Sequence, residues 1–265
     1  MQDFPLPDLL ALDRCLGQLI ARPGINGDFM RKFLPIALIL GAIAAPLSAQ
    51  TLPDNITVEA DRGQSEELDK GVGLMQSGQP AEALKVFSGI IDTYEASHTS
   101  GTPYRCTYAE TVDATVAHAN RELKGQKFIL AGEIWCTALW GKGFVLIDLD
   151  RSAEAGPFLA RAVEMMPMNA HFINEYAEWY KTKRDWTRSH DLFKRAWETV
   201  DHDKQGNDRK VAGRSLRGMA FDLVEMGDLD QAEKLLALSL EYDPESAGKV
   251  QNELNYIAGI KANTK

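Results

Sequence analysis

Between Asn169 and Asp201 the chain carries two apolar stripes joined by a short charged turn. In the first, Ile173, Tyr176, Ala177 and Tyr180 recur at spacings of three and four; in the second, Trp186, Ser189, Phe193, Ala196 and Trp197 do the same. Each stripe marks one face of an amphipathic helix. The connection at Lys183 to Asp185 is too short for anything but an antiparallel helix pair.

The pattern recurs. In 64–97, Leu68, Gly71, Val72, Leu74 and Met75 form one stripe and Ala83, Leu84, Phe87, Ile90 and Ile91 a second, with Gly78-Gln79-Pro80 as the turn and Pro80 opening the next helix. Sliding one pair over the others aligns a small residue in the first helix, Gly71, Gly143, Ala177 and Ala220, with Leu74, Leu146, Tyr180 and Leu223 one turn later. The second helix aligns Ala83, Ala155, Ser189 and Ala232, then Phe87, Leu159, Phe193 and Leu236, and in three pairs Ala162, Ala196 and Ser239. Small residues permit a close helix crossing, and the large residue a turn later fills the groove beside it.

These columns, with 34 residues between Ala155 and Ser189, resemble the tetratricopeptide repeat, whose period is about 34 residues. The resemblance implies an all-α fold, a right-handed α-solenoid of tetratricopeptide-like helix pairs at 64–97, 136–169, 170–203 and 213–246. A capping helix in 247–265, carrying Val250, Leu254, Tyr256 and Ile257, would cover the last stripe. Residues 98–135 depart from the pattern: a helix-like part at Tyr108 to Leu123 and an extended-looking Lys127 to Ala131 read as an irregular insertion or a degenerate repeat. Residues 204–212 read as a linker and 50–63, with Pro, Gly, Asn and Asp and no helical period, as a flexible lead-in.

The N-terminal region has a different logic. Met30-Arg31-Lys32 is a positive start, Phe33 to Ala45 an apolar core, and Pro46-Leu47-Ser48-Ala49 a small-residue end, so 30–49 reads as a secretory signal peptide cleaved after Ala49. The rival reading, an uncleaved anchor, meets a run shorter than the roughly 20 residues a spanning helix needs. Residues 1–29 then read as an upstream extension from a misassigned start, or as a short amphipathic helix through Leu9, Leu10, Leu16, Leu19 and Ile20. The expected location is periplasmic or secreted. There, Cys106 and Cys136 either pair in a disulfide or stay as two buried thiols.

Composition narrows the partners. Acidic residues outnumber Lys and Arg by 38 to 29 without any basic cluster, so nucleic acid is not an expected partner. The histidines His98, His118, His171, His190 and His202 fall in no metal-ligand spacing, and no metal or cofactor is expected. Asp201 to Gly206 is similar to the opening of a calcium loop, but the closing Glu position holds Ala212. Gly141-Lys142-Gly143 lacks the rest of a phosphate loop, and no Gly-x-Ser-x-Gly elbow is present. No catalytic residue is assigned.

In tetratricopeptide proteins the first helix of each pair lines a concave groove that receives a protein or peptide. Carried over position by position, the resemblance points to Leu68, Val72 and Met75, to Trp140, Phe144 and Ile147, to Asn174, Glu178 and Lys181, and to Arg214, Arg217 and Phe221. The candidate groove set is Trp140, Phe144, Asn174, Glu178, Lys181, Arg214, Arg217 and Phe221, a mixture of aromatic anchors and charges. The alternative for each aromatic is a place in the core. The Lys and Asn clamp of chaperone-binding members is missing from these slots. The expected role is therefore a non-enzymatic interaction scaffold of the bacterial cell envelope. The alternatives are an exported hydrolase-like enzyme on a repeat array and a homo-oligomeric structural protein.

Overall fold

The computed structural model describes residues 52–60, 62–98, 101–200 and 207–263. The described residues from Asn55 onward form one compact unit. The signal-like segment 30–49, the extension 1–29 and the calcium-loop-like stretch Asp201 to Gly206 lie outside the described residues.

Four antiparallel helix pairs occupy the compact unit: α1 (Ser65–Gln76) with α2 (Pro80–Glu95), α4 (Ile134–Asp148) with α5 (Ser152–Met165), α6 (Ala170–Thr182) with α7 (Trp186–Thr199), and α8 (Asn207–Met226) with α9 (Leu229–Tyr242). Side-chain caps start three of these helices. Asn169, Asp185 and Asp228 accept hydrogen bonds from the backbone N–H of Phe172, Arg188 and Gln231, satisfying donors that the first turn leaves open.

Each pair turns on a residue of positive φ placed seven after the small residue of the first helix: Gly78 (72°), Asp150 (58°), Arg184 (56°) and Gly227 (87°). Two pairs use glycine, which adopts that region freely; two hold a side chain there at some cost.

The small-residue columns are the closest crossings. A Cβ on Gly71 would lie 2.7 Å from the Phe87 ring and one on Gly143 2.5 Å from Leu159. Ala177 and Phe193 share one buried cluster, Ala220 and Leu236 another. The second-helix phenylalanines also reach forward to the next pair: Phe87 would be 2.7 Å from a Cβ on Gly141, and Phe193 2.5 Å from one on Gly218. Phe87 and Phe193 are therefore each wedged between their own first helix and the one that follows, which fixes those pairs on the next. The closing helix α10 (Ala247–Asn263) seals the array by packing Val250, Leu254 and Ile257 on Ala220 and Leu236.

Three segments refine or overturn the sequence reading. The lead-in 50–63 contains a strand, β1 (Ile56–Val58). Residues 98–135 are not a degenerate helix pair but a β–α–β unit of β2 (Tyr104–Thr107), α3 (Val112–Glu122) and β3 (Phe128–Gly132). With β1 they make a three-stranded parallel sheet in the order β1-β3-β2, in which Ile56 pairs with Phe128 and Cys106 with Ala131. A parallel pair needs a crossover, and α3 supplies it. Phe128 and Leu130 pack with Ala119, Val112, Val116, Leu123 and Ile56, so the strand from the lead-in is held by the same apolar contact. Third, the linker read at 204–212 is helical from Asn207. The added residues lengthen α8 to 20 residues, and Ala212 is completely buried there.

Cys106 of β2 and Cys136 of α4 are joined by a disulfide, and both are buried. The bond ties the sheet to the first turn of α4. Beside it, Trp135 stacks on Tyr94 and meets Tyr104 edge-on, with the Arg161 guanidinium over its ring.

Candidate functional site

The first helices α4, α6 and α8 are packed in succession, and their aligned slots do not share one fate. One column lies three residues before the small residue and holds Trp140, Asn174 and Arg217. The next lies directly after it and holds Phe144, Glu178 and Phe221. In the first column Trp140 and Asn174 are buried and Arg217 is engaged beyond α9; the second is partly exposed.

Trp140 is 1% exposed. Its indole stacks on Phe172 with centroids 5.6 Å apart and touches His171 at 4.9 Å, so it joins α4 to α6 and is core, not a groove anchor. Burial, reinforced by Arg214, pushes the His171 imidazole down to about 3, and the ring is neutral at ordinary pH. Asn174 is likewise completely buried. Ser215 donates to its Oδ1 at 2.9 Å, and its Nδ2 donates to the Val211 carbonyl at 3.4 Å. It is a polar tie between α6 and α8, unreachable by a partner. Arg217 points away from both: it pairs with Asp243 at 3.0 Å and donates to Ser246 at 2.8 Å, in the turn after α9. These three corrections have two causes. For Trp140 and Asn174 the slot before the small residue faces the next pair, and packing that neighbour buries it; Arg217 is claimed instead by the end of its own pair.

Glu178, Lys181, Arg214 and Phe221 come together. Arg214 pairs with Glu175 at 2.6 Å and lies 3.8 Å from Glu178, which in turn holds Lys181 at 3.0 Å. Lys181 Nζ sits 4.0 Å over the Phe221 ring, and Trp186 meets that ring edge-on at 5.8 Å. Phe144 is half-buried on α4, its ring 5.7 Å from Trp140. The result is a charge ladder across α6 and α8 with the Phe221 ring at its Lys181 end. Its members hold one another in place before any partner arrives, which lowers the ordering cost of an interface.

Sequence reasoning missed Glu175, Ser215 and Asp222. Glu175 and Ser215 fall outside the aligned groove slots, and no periodic signal marks the pairing of Glu175 with Arg214, 39 positions apart, because the lengthened α8 breaks the repeat spacing. Among the described residues no group of three His, Cys, Asp or Glu side chains is placed to hold a metal ion, and no helix is long and apolar enough to cross a membrane.

The helix pairs, their small-to-large crossings and their common turn recur at matched positions through the array. The fold is tetratricopeptide-like. No family model matches the chain, and no curated relative does. Among solved structures, this tetratricopeptide-like chain is similar to the Cut9–Hcn1 hetero-tetramer of the APC/C, at 14% identity and a TM-score of 0.44, over 74% of this chain and 36% of that one. It thus spans little more than a third of that chain. It is also similar to MamA 41-end from Desulfovibrio magneticus RS-1, at 15% identity and a TM-score of 0.37, over 74% of this chain and 99% of that one.

Proposed function

We propose that the chain is a non-enzymatic protein-interaction scaffold that receives a protein or peptide segment along the first-helix face. The observation carrying this reading is the half-exposed column Phe144, Glu178 and Phe221, with Lys181 and Arg214 held beside it by the charge ladder. Aromatic faces flanked by fixed charges are the composition of an interface that gains affinity from the rings and orientation from the charges. Trp140, Asn174 and Arg217 take no part in contact. Their task is to hold the three helices in register.

The proposed setting is the bacterial cell envelope. The apolar segment 30–49 with its basic start supports export, and a disulfide between Cys106 and Cys136 fits a compartment where disulfides persist.

Affinity capture from native envelope extract tests the proposal. Phe221→Ala and Glu178→Lys are each expected to weaken retention of the partner at least tenfold with unchanged helicity, since central anchors cost roughly 2 kcal/mol or more on truncation. Lys194→Ala, on the exposed face of α7, should bind as wild type does. Normal retention by both groove variants while folded overturns the proposed face.

A further inference from the structure

The pair of α6 and α7 departs from the other three pairs in one place. Counted from the small residue of the first helix, the position before it holds Tyr176, against Lys70, Lys142 and Met219 elsewhere. The position two after holds Trp179, and the position three after holds Tyr180 where every other pair has leucine. The turn and the start of α7 then bring Lys183, Arg184 and Arg188 to positions that carry no cation in any other pair. Leucine satisfies the helix crossing three times over, so the crossing itself does not require these rings.

The three rings touch one another. Tyr176 stacks on Trp179 with centroids 5.8 Å apart, and Tyr180 meets Trp179 at 4.8 Å and Tyr176 at 5.0 Å. Gly156 of α5 makes room for the indole, since a Cβ there would lie 2.3 Å from it, and Trp179 Nε1 donates to the Ser152 carbonyl at 2.6 Å. The cluster is thereby fixed, yet each ring stays partly exposed. Tyr176 and Tyr180 share one hydroxyl–hydroxyl hydrogen bond of 3.1 Å, which uses one hydroxyl hydrogen and leaves the other to donate outward. Lys183 Nζ lies 5.3 Å over Trp179 and the Arg188 guanidinium 5.7 Å over Tyr180, with Arg184 exposed in the turn between them. The Arg188 side chain is 68% exposed, and its carboxylate partner Asp185, at 3.5 Å, is also the cap of α7. At about 100° per helical residue, positions 176, 179, 180 and 183 fall on the flank of α6 opposite Glu178 and Lys181. The cluster is separate from the charge ladder.

We propose that Tyr176, Trp179 and Tyr180, with Lys183, Arg184 and Arg188, form a second binding site, which takes an extended proline-rich segment carrying acidic residues beside its prolines. Such a segment is already ordered as a polyproline helix and docks on aromatic-lined surfaces at low entropic cost. Its prolines offer carbonyl acceptors without N–H donors, which suits a surface whose spare polar group is a hydroxyl hydrogen. The cations select the flanks. A chain of net charge −9 that gathers three cations at this one turn attracts carboxylates there and repels basic partners. The lysine and arginine stems let those heads leave the ring faces for the carboxylates of the ligand. A neutral glycan would use the rings and leave the cations idle, so the peptide is the better fit. The site lies on the far flank of α6 from the proposed first-helix groove, and either stands without the other.

The test titrates the full 15N-labelled chain with a synthetic oligoproline peptide flanked by glutamates. Two companion peptides replace the glutamates by lysines or the prolines by glycines. The Trp179 indole N–H signal is expected to move in a saturable way with the acidic proline peptide, and both companions should bind at least tenfold more weakly. The double variant Lys183→Glu with Arg184→Glu, on exposed side chains, should weaken binding at least tenfold at unchanged helicity, and Tyr176→Ser should weaken it several-fold. Should Tyr176→Ser fail to fold, the charge-reversed chain decides. Glu178→Lys, on the opposite flank, should bind the peptide as wild type does. A still indole signal, equal binding of either companion, or wild-type binding by the charge-reversed chain overturns the site. So does loss of binding in Glu178→Lys, which would put the peptide in the first-helix groove instead. A saturable shift with a soluble chitin oligosaccharide and none with the peptide would replace the peptide by a glycan and overturn the proposal as well.

Discussion

Replacing Trp140 by alanine is expected to remove about 3 to 5 kcal/mol of stability, the usual cost of truncating a fully buried tryptophan. The indole fills the junction of α4 and α6 against Phe172 and His171, and nothing else there has the volume to replace it. Phe144→Ala, one turn away and half-exposed, should cost well under half as much because part of its ring already meets water. Urea unfolding of the two variants checks the contrast. Equal losses, or a Trp140→Ala protein as stable as wild type, would show that the two columns are not divided between core and surface. Such a result would also restore Trp140 to the candidate interface.

The second large effect is expected from the Cys106–Cys136 bond. Its 30-residue separation corresponds to about 3 to 4 kcal/mol in the loop-entropy account. The double variant Cys106→Ala with Cys136→Ala should lose about that amount relative to the oxidised chain. The loss should be local before it is global. Repeat arrays are held together by contacts between neighbours, so α6 to α10 can remain folded while the sheet loosens. Amide exchange should therefore accelerate first in Tyr104–Thr107 and Phe128–Gly132, with α8 and α9 little changed. Uniform acceleration through every helix would contradict the repeat-by-repeat account, and an unchanged unfolding midpoint would remove the bond from the stabilising contacts.

How much of the site was legible differs from residue to residue. Phe144, Glu178 and Phe221 sit where the aligned repeats place a groove position, and the structure leaves them half-exposed and, for the last two, beside Lys181. Trp140, Asn174 and Arg217 occupy an equally regular column and are removed from it by contacts that no helical period encodes. Arg217 is claimed by Asp243 and Ser246 beyond α9, and Asn174 by Ser215 across α6 and α8. Asp222 gave no signal because an acidic residue on a helix reads as solvated until the facing helix is known; only the packing of α7 makes it a buried carboxyl.

The sequence by itself determined the helix pairs, their order and the residues at their closest crossings. Those features are set by contacts within about 30 residues, where a period of 3.6 and a run of Gly, Ala and Ser at matched positions leave one way to pack. It did not determine the parallel sheet, whose strands at Ile56, Tyr104 and Phe128 are short and joined across distant segments. Nor did it determine the common left-handed turn, which Asp150 and Arg184 conceal where glycine would have shown it. The tertiary structure alone decided which slot of each first helix faces water, because that depends on how the next pair docks. Phe87 against Gly141 and Phe193 against Gly218 fix that docking, and with it the face on which Phe144, Glu178 and Phe221 stand.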